Sequence, residues 1–123
     1  MVTMSVIGSG EASTHDEPSL EDVRSAVVAL DSLSGIAVVS DSAWLGVSGG
    51  PSWFAVSYAL EADGPIWQAR GPAEAPASLD FVAGGQPTGM GNPYLVDVDA
   101  AIEAAQHFVS TGEMLTTMVW DEM

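Results

Sequence analysis

The segment 46–50, GVSGG, is the one pattern in this sequence that fits a nucleophile site, with Ser48 at its centre. Gly-x-Ser-x-Gly is typical of the nucleophile elbow, a sharp strand-to-helix turn that exposes the serine hydroxyl. Another strand pattern follows here instead of a helix, so the elbow geometry is not expected. A general base would have to be His15, in a polar segment, or His107, on a helix flank. We therefore interpret Ser48 as part of a hairpin turn and keep a small serine-dependent hydrolase as an alternative function.

Metal chemistry has little support in the sequence. Two histidines and no cysteine make a transition-metal site improbable. Asp97 and Asp99 carry oxygen ligands, but the graded spacing of a calcium loop is absent around them. Asp97 instead suits the N-cap of a helix. The sequence predicts no catalytic residue, no metal site and no cofactor.

The charge is the most informative bulk property. Seventeen carboxylates stand against two arginines and no lysine, which gives a formal net charge of −15. Such a surface repels nucleic acid and anionic membranes, because binding to phosphates depends on cationic side chains. It attracts basic proteins and accelerates their association. The alternative is an acidic domain of the halophile type, whose charge serves solubility and has no partner.

Apolar patterns predict one domain of the α+β class over residues 1–123. A first strand is expected over residues 1–7, a polar, partly flexible segment over 8–18, and a helix over 19–33 with Ser19 and Asp22 as a capping box. Strands are predicted near residues 36–40, 44–47, 53–60, 66–70 and 79–82. Residues 83–94 are rich in Gly and Pro and predict an irregular loop beside a binding surface. Two helices on one face of a mainly antiparallel sheet of about six strands account for this order.

The C-terminal stretch 92–123 reads as a helix, a turn and a strand. Asp97 is the predicted N-cap, and Gly112 is placed to end the helix in a left-handed conformation. Apolar residues recur at helical spacing between them, namely Val98, Ala101, Ile102, Ala105, Phe108 and Val109. The apolar, Thr-containing run 114–120 then predicts a well-covered strand.

This stretch resembles the C-terminal signature of bacterial immunity proteins from polymorphic toxin systems, specifically the family numbered one. That signature is an Ala-rich helix with a Phe near its end, a Thr, a short turn and a final strand closed by Trp. The matching residues are Ala104, Ala105, Phe108, Thr111 and Trp120. The family usually has Pro soon after the turn, where this chain has Leu115. The paired Gly84 and Gly85 also look like a mid-chain feature of the family.

The resemblance implies an immunity protein that binds and neutralises a cognate secreted toxin domain. Members of the family include antidotes to DNA cytosine deaminase toxins, so a nucleic-acid-targeting deaminase or nuclease is the expected partner. The acidic surface would cover the basic substrate cleft of that toxin. Charge and loop position select five candidate partner-binding residues: Glu61, Asp63, Glu74, Asp80 and Tyr94. The lack of a basic N-terminal leader and of a long apolar run predicts a cytoplasmic protein without direct nucleic-acid or membrane binding.

Overall fold

The fold was determined from a computed structural model, which describes residues 2–8, 11–61, 63–72, 74–83, 86–91 and 93–123. In chain order, the elements up to the middle of the chain are β1 (Val2–Gly8), β2 (Glu11–Asp16), α1 (Leu20–Val28), β3 (Gly35–Ser40), β4 (Ala43–Gly49) and β5 (Trp53–Ala59). The remaining elements are β6 (Ile66–Ala69), β7 (Leu79–Ala83), β8 (Gln86–Met90), β9 (Val96–Asp97), α2 (Val98–Thr111) and β10 (Trp120–Glu122).

One antiparallel sheet dominates the fold. Its strand order is β10-β6-β5-β4-β3-β1-β2, and the short β9 pairs with β5 beside β6. Strands β7 and β8 form a separate two-stranded hairpin. Both helices pack on one face of the sheet, and the fold is α+β as predicted. The first strand is confirmed as β1, and the sheet has more strands than the six or so expected because β2 and β9, which were not predicted, join it.

Helix α2 forms for the reasons that its sequence gives. The Asp97 carboxylate accepts a hydrogen bond from the amide of Ala100 at 2.9 Å, and this satisfies a free donor of the first turn. Gly112 ends the helix at φ 74°, where a side chain would be strained, and its amide donates to the Phe108 carbonyl. The face between these caps is buried against the sheet: Ala101, Ile102, Ala104, Ala105 and Phe108. The predicted helix and both of its caps are confirmed.

Helix α1 is shorter than predicted. Its capping box is present, since Ser19 and Asp22 exchange hydrogen bonds at 2.9 and 3.0 Å. The bond from the Ser19 amide also lowers the pKa of the Asp22 carboxyl. The helix ends at Val28 instead of residue 33 because the following segment turns to bind the end of β4: the Ser32 amide donates to the Gly49 carbonyl at 2.8 Å.

The core lies between the helices and the sheet. Val23 and Val27 of α1 face Val38, Leu45 and Val56 of the sheet, and all five are fully buried. In β5 the alternation predicted from the sequence is confirmed for Phe54, Val56 and Tyr58, whereas Leu60 follows the strand and is 55% exposed.

Tyr58 connects four elements of this core. Its ring centroid lies 5.8 Å from that of Phe108 on α2, 6.2 Å from that of Trp67 on β6 and 6.3 Å from that of Trp120 on β10. Its hydroxyl donates to the Gly112 carbonyl at 3.3 Å, where α2 ends. The side chain is only 2% exposed. Tyr58 thereby ties α2 and the C-terminal strand to the middle of the sheet.

The predicted strand over residues 114–120 is wrong. The chain turns after Leu115, whose carbonyl accepts from the Met118 amide at 3.3 Å and from the Trp120 indole N–H at 3.0 Å. Met114, Leu115 and Met118 pack against the core from this turn, and the strand begins only at Trp120. The apolar run therefore reflects burial of a loop and not an extended conformation.

Two predicted loops contain strands. Within residues 8–18, β2 pairs with β1 from Thr3 opposite Asp16 to Gly8 opposite Glu11. Residues 12–16 are exposed, so the strand shows no apolar alternation that would reveal it. Within residues 83–94, β8 pairs with β7, while Gly84, Gly85 and Asn92 lie outside the described residues.

We predict that Tyr58→Ala lowers the free energy of unfolding by about 3–5 kcal/mol, because it leaves a cavity among three aromatic rings. Tyr58→Phe keeps the ring and loses only the bond to Gly112, at a cost of about 1 kcal/mol. Urea denaturation measures both changes. Leu60→Ala, at an exposed site just beyond the same strand, is the control and should change stability by less than about 0.5 kcal/mol. Equal losses at Tyr58 and Leu60 would contradict the role assigned to Tyr58.

Candidate partner-binding surface

One end of the main sheet collects carboxylates. Four segments meet at this end: the end of β2, the β3–β4 turn, the β5–β6 turn and the last residues of β10. The strand register shows this, because Val2 lies opposite Ser40, Trp44 opposite Ala59, and Glu122 opposite Trp67. Helix α2 also ends there, because Tyr58 binds the Gly112 carbonyl. The exposed carboxylates at this acidic end are Asp16, Glu17, Asp41, Glu61, Asp63, Glu113 and Glu122.

The acidic end has little compensating positive charge on the sheet. Arg70 follows β6 at the opposite end of that strand from the β5–β6 turn. Its guanidinium binds the Asp121 carboxylate at 2.7 Å, so its charge is already paired. In the described strands and turns of the sheet, no arginine or lysine lies among these seven carboxylates, and a surface of this form attracts a basic partner.

The structure separates the five residues that the sequence selected. Glu61 and Asp63 lie together and exposed in the β5–β6 turn, at the acidic end. Glu74 and Asp80 are also exposed, but Glu74 precedes β7 and Asp80 lies within it. Strand β7 begins at Leu79, which lies beside Gly49 at the other end of the sheet. Sequence reasoning missed the other five carboxylates of the acidic end, because only strand register brings them near Glu61 and Asp63.

Tyr94 belongs to a small polar cluster with Arg70 and Asp121. Its hydroxyl donates to the Asp121 carboxylate at 3.0 Å, on the same oxygen that the Arg70 guanidinium contacts. The hydrogen bond to Asp121 raises the pKa of the Tyr94 phenol, because ionisation would place two negative charges in contact. Arg70 and Asp121 are substantially exposed, at 45% and 32% of their side chains, so their ion pair contributes little to stability.

The face of the sheet opposite the helices carries a concave groove of about 330 Å³. Its floor consists of two rows of mostly small residues in register across the strands. One row is Ala37, Gly46, Ser57 and Gln68, and the other is Ile7, Gly35, Ser48 and Ala55. Phe81, Thr88 and Met90 of the β7–β8 hairpin line it as well.

Trp44 bounds the groove toward the acidic end. A side chain on Gly46 would meet the Trp44 indole, with Cζ3 at 3.4 Å from an added Cβ, so the ring lies over this glycine. Val39, Trp44, Ala59 and Ile66 form the next row across the sheet, between the groove and the acidic end. Val39 and Ile66 are 41% and 37% exposed. The groove thus opens onto an apolar strip beside the carboxylates.

Ser48 lies in β4 on the groove face, not in a hairpin turn. Strands β3 and β1 lie between Ser48 and His15, which is on β2. Three strand spacings separate the two residues by about 14 Å across the sheet. His107 lies on α2, against the opposite face of the sheet. Neither histidine is therefore in a position to activate the Ser48 hydroxyl, and this geometry disfavours the hydrolase alternative.

In the described part of the chain, no three acidic or histidine side chains lie together as a metal site would require. Within the same residues, no helix is long and apolar enough to cross a membrane.

Comparison with known proteins identifies a family. The sequence matches the family model described as Immunity protein Imm1 over residues 10–122, nearly the whole chain. A comparison with curated proteins finds no match. The family match extends the resemblance of the C-terminal stretch to the strands that form the acidic end and the groove.

We predict that both tyrosines ionise above the ordinary phenol pKa of 10.0, Tyr58 because of burial and Tyr94 because of Asp121. The folded chain holds these protons more tightly than the unfolded chain. Their contribution to stability is therefore complete below pH 10 and is lost as the pH rises through the raised values. Phenolate absorbance of Tyr58→Phe reports Tyr94 alone, and Asp121→Asn should bring that pKa back toward its ordinary value. An unchanged Tyr94 titration in Asp121→Asn would contradict the assignment.

Proposed function

The chain belongs to the Imm1 family of immunity proteins, and from this membership we propose that it neutralises a nucleic-acid-targeting deaminase toxin by covering the toxin's substrate cleft with its acidic end. The family supports an immunity protein against a toxin. The observation that carries the finer proposal is the cluster of seven exposed carboxylates at one end of the sheet.

The charges suit a target whose substrate is a polyanion. An enzyme that acts on DNA or RNA presents cationic side chains to the phosphate backbone. Carboxylates held at the acidic end would occupy the positions of phosphates and compete with the substrate for the same cations. Because the acidic end is built from the ends and turns of paired strands, its carboxylates are held on a rigid frame.

Deamination makes a covering inhibitor sufficient. A deaminase must receive a single-stranded or extruded base in its zinc pocket, so an inhibitor that closes the mouth of the cleft stops the reaction. The inhibitor needs no chemistry of its own, which agrees with the position of Ser48 far from both histidines. A nuclease with a basic cleft would be blocked by the same surface.

Glu61 and Asp63 lie within the acidic end and are proposed as its central contacts. Glu74, Asp80 and Tyr94 lie elsewhere and are proposed as contacts of a second region, on the side of the β7–β8 hairpin and the Asp121 cluster. A toxin that touches both regions would have to extend across the groove face.

We predict that Glu61→Lys with Asp63→Lys weakens binding to the cognate toxin domain by at least about a hundredfold, since attraction becomes repulsion at the centre of the acidic end. Glu74→Lys with Asp80→Lys should weaken it less. Titration calorimetry with a catalytically inactive toxin domain measures the affinities. The matched control is Asp99→Lys with Glu103→Lys, an equal charge change at exposed positions of α2 away from the acidic end. Equal losses in control and test variants would exclude a localised acidic interface.

We predict that cells exposed to the toxin domain without this chain accumulate cytosine-to-thymine changes in their DNA, because deamination converts cytosine to uracil. Whole-genome sequencing of survivors measures the changes, with cells that express this chain as the control. Strand breaks without base changes would instead identify a nuclease and contradict the deaminase target.

A further inference from the structure

The groove on the sheet face opposite the helices contains a buried polar atom without a partner. The Gln68 side-chain oxygen is inaccessible and accepts no hydrogen bond within the described residues. Buried acceptors are nearly always bonded, and leaving one unpaired is costly. Gln68 lines the groove beside Ser57, so a rotation of its side chain would bring the oxygen to a donor placed in the groove.

The shape of the groove selects a flat, partly apolar occupant. Its floor is made of small side chains, and taller ones stand at its margins: Trp44 toward the acidic end, and Phe81 and Met90 on the hairpin. The indole of Trp44 lies over Gly46, next to Ser57 in register. A planar group above Ser57 would lie between this indole and the oxygen of Gln68.

The negative charge around the groove favours a positively charged occupant. The lining contains neither arginine nor lysine, the acidic end lies one row of residues away, and the chain as a whole carries −15. An arginine side chain combines these requirements. It has an aliphatic stem for an apolar wall, a planar guanidinium that stacks on tryptophan, and several N–H donors for Gln68 and the serine hydroxyls.

We propose that the groove receives an arginine side chain of the cognate toxin, whose guanidinium stacks on Trp44 and donates to the side-chain oxygen of Gln68. The inference rests on the proposed function, because it requires a toxin as the partner. It adds a specific anchor to an interface otherwise held by long-range attraction. Carboxylates of the acidic end would accelerate encounter, and the groove would set the lifetime of the complex.

Substitutions at Gln68 distinguish an arginine from other occupants. The affinity of each variant for the catalytically inactive toxin domain is measured by titration calorimetry, with thermal unfolding as the check on folding. Gln68→Glu offers a guanidinium a better acceptor, so binding should be unchanged or tighter. Gln68→Lys repels it, and binding should weaken at least about thirtyfold. Val28→Lys, which adds the same charge at an exposed position where α1 ends, away from the acidic end, should bind within about threefold of the wild type.

Ala37→Leu tests occupancy of the groove without any change of charge. Ala37 is half-buried on the floor, and a larger side chain there fills the space that the toxin would enter. We expect binding at least about tenfold weaker. Loss of binding in Gln68→Glu as well as in Gln68→Lys would mean a neutral or apolar occupant and would overturn the assignment of arginine.

Oxidative footprinting of the wild-type chain gives a readout that needs no substitution. Trp44 and Met90 should oxidise more slowly in the complex than in the free protein. Unchanged oxidation of both, or wild-type affinity of Ala37→Leu, overturns the proposal for the groove and leaves the acidic interface intact. Failure of the wild-type chain to bind the toxin domain would instead overturn the proposed function, and this inference with it.

Discussion

The contacts of Tyr58 are the constraint on which the rest of the structure depends. One buried side chain touches rings on β6, α2 and β10 and binds the carbonyl at which α2 ends. These contacts add to the ladder of three residue pairs, the core packing of the C-terminal turn and the ion pair of Asp121 with Arg70, which also hold this segment. The position of Glu113 and Glu122 at the acidic end follows from this attachment, so the packing of the core determines the pattern of charge.

The two faces of the sheet have different roles. Large side chains fill the face under the helices, where burial of apolar area stabilises the fold. The other face carries Gly46, Ser48 and Ser57 along its centre, and small side chains leave space instead of filling it. The β7–β8 hairpin covers part of this face through a second apolar cluster of Ala55, Ala75, Phe81 and Leu95. A partly open, concave face beside a group of exposed carboxylates is consistent with a protein that binds a partner.

Local signals allowed the helices and several strands to be predicted from the sequence. Helix α2 was predicted correctly because its signals are local: the caps at Asp97 and Gly112 and the spacing of the apolar residues between them. Residues 12–16 of β2 are all exposed, and the run 114–120 is apolar without being extended, so the apolar pattern alone did not predict either segment correctly. The acidic end and the groove depend on register between strands distant in sequence. Glu61 and Asp63 were found because turns are exposed, whereas Asp41 and Glu122 join them only through pairing.

The central claim is that this chain protects a cell from a specific toxin. The most direct test is survival of cells that produce the cognate toxin domain, with and without this chain, counted as colonies. The account predicts rescue by this chain and none by an unrelated acidic domain of equal net charge, because the acidic end and the groove must fit one partner. Death in the presence of the folded chain, or equal rescue by the unrelated domain, would contradict it.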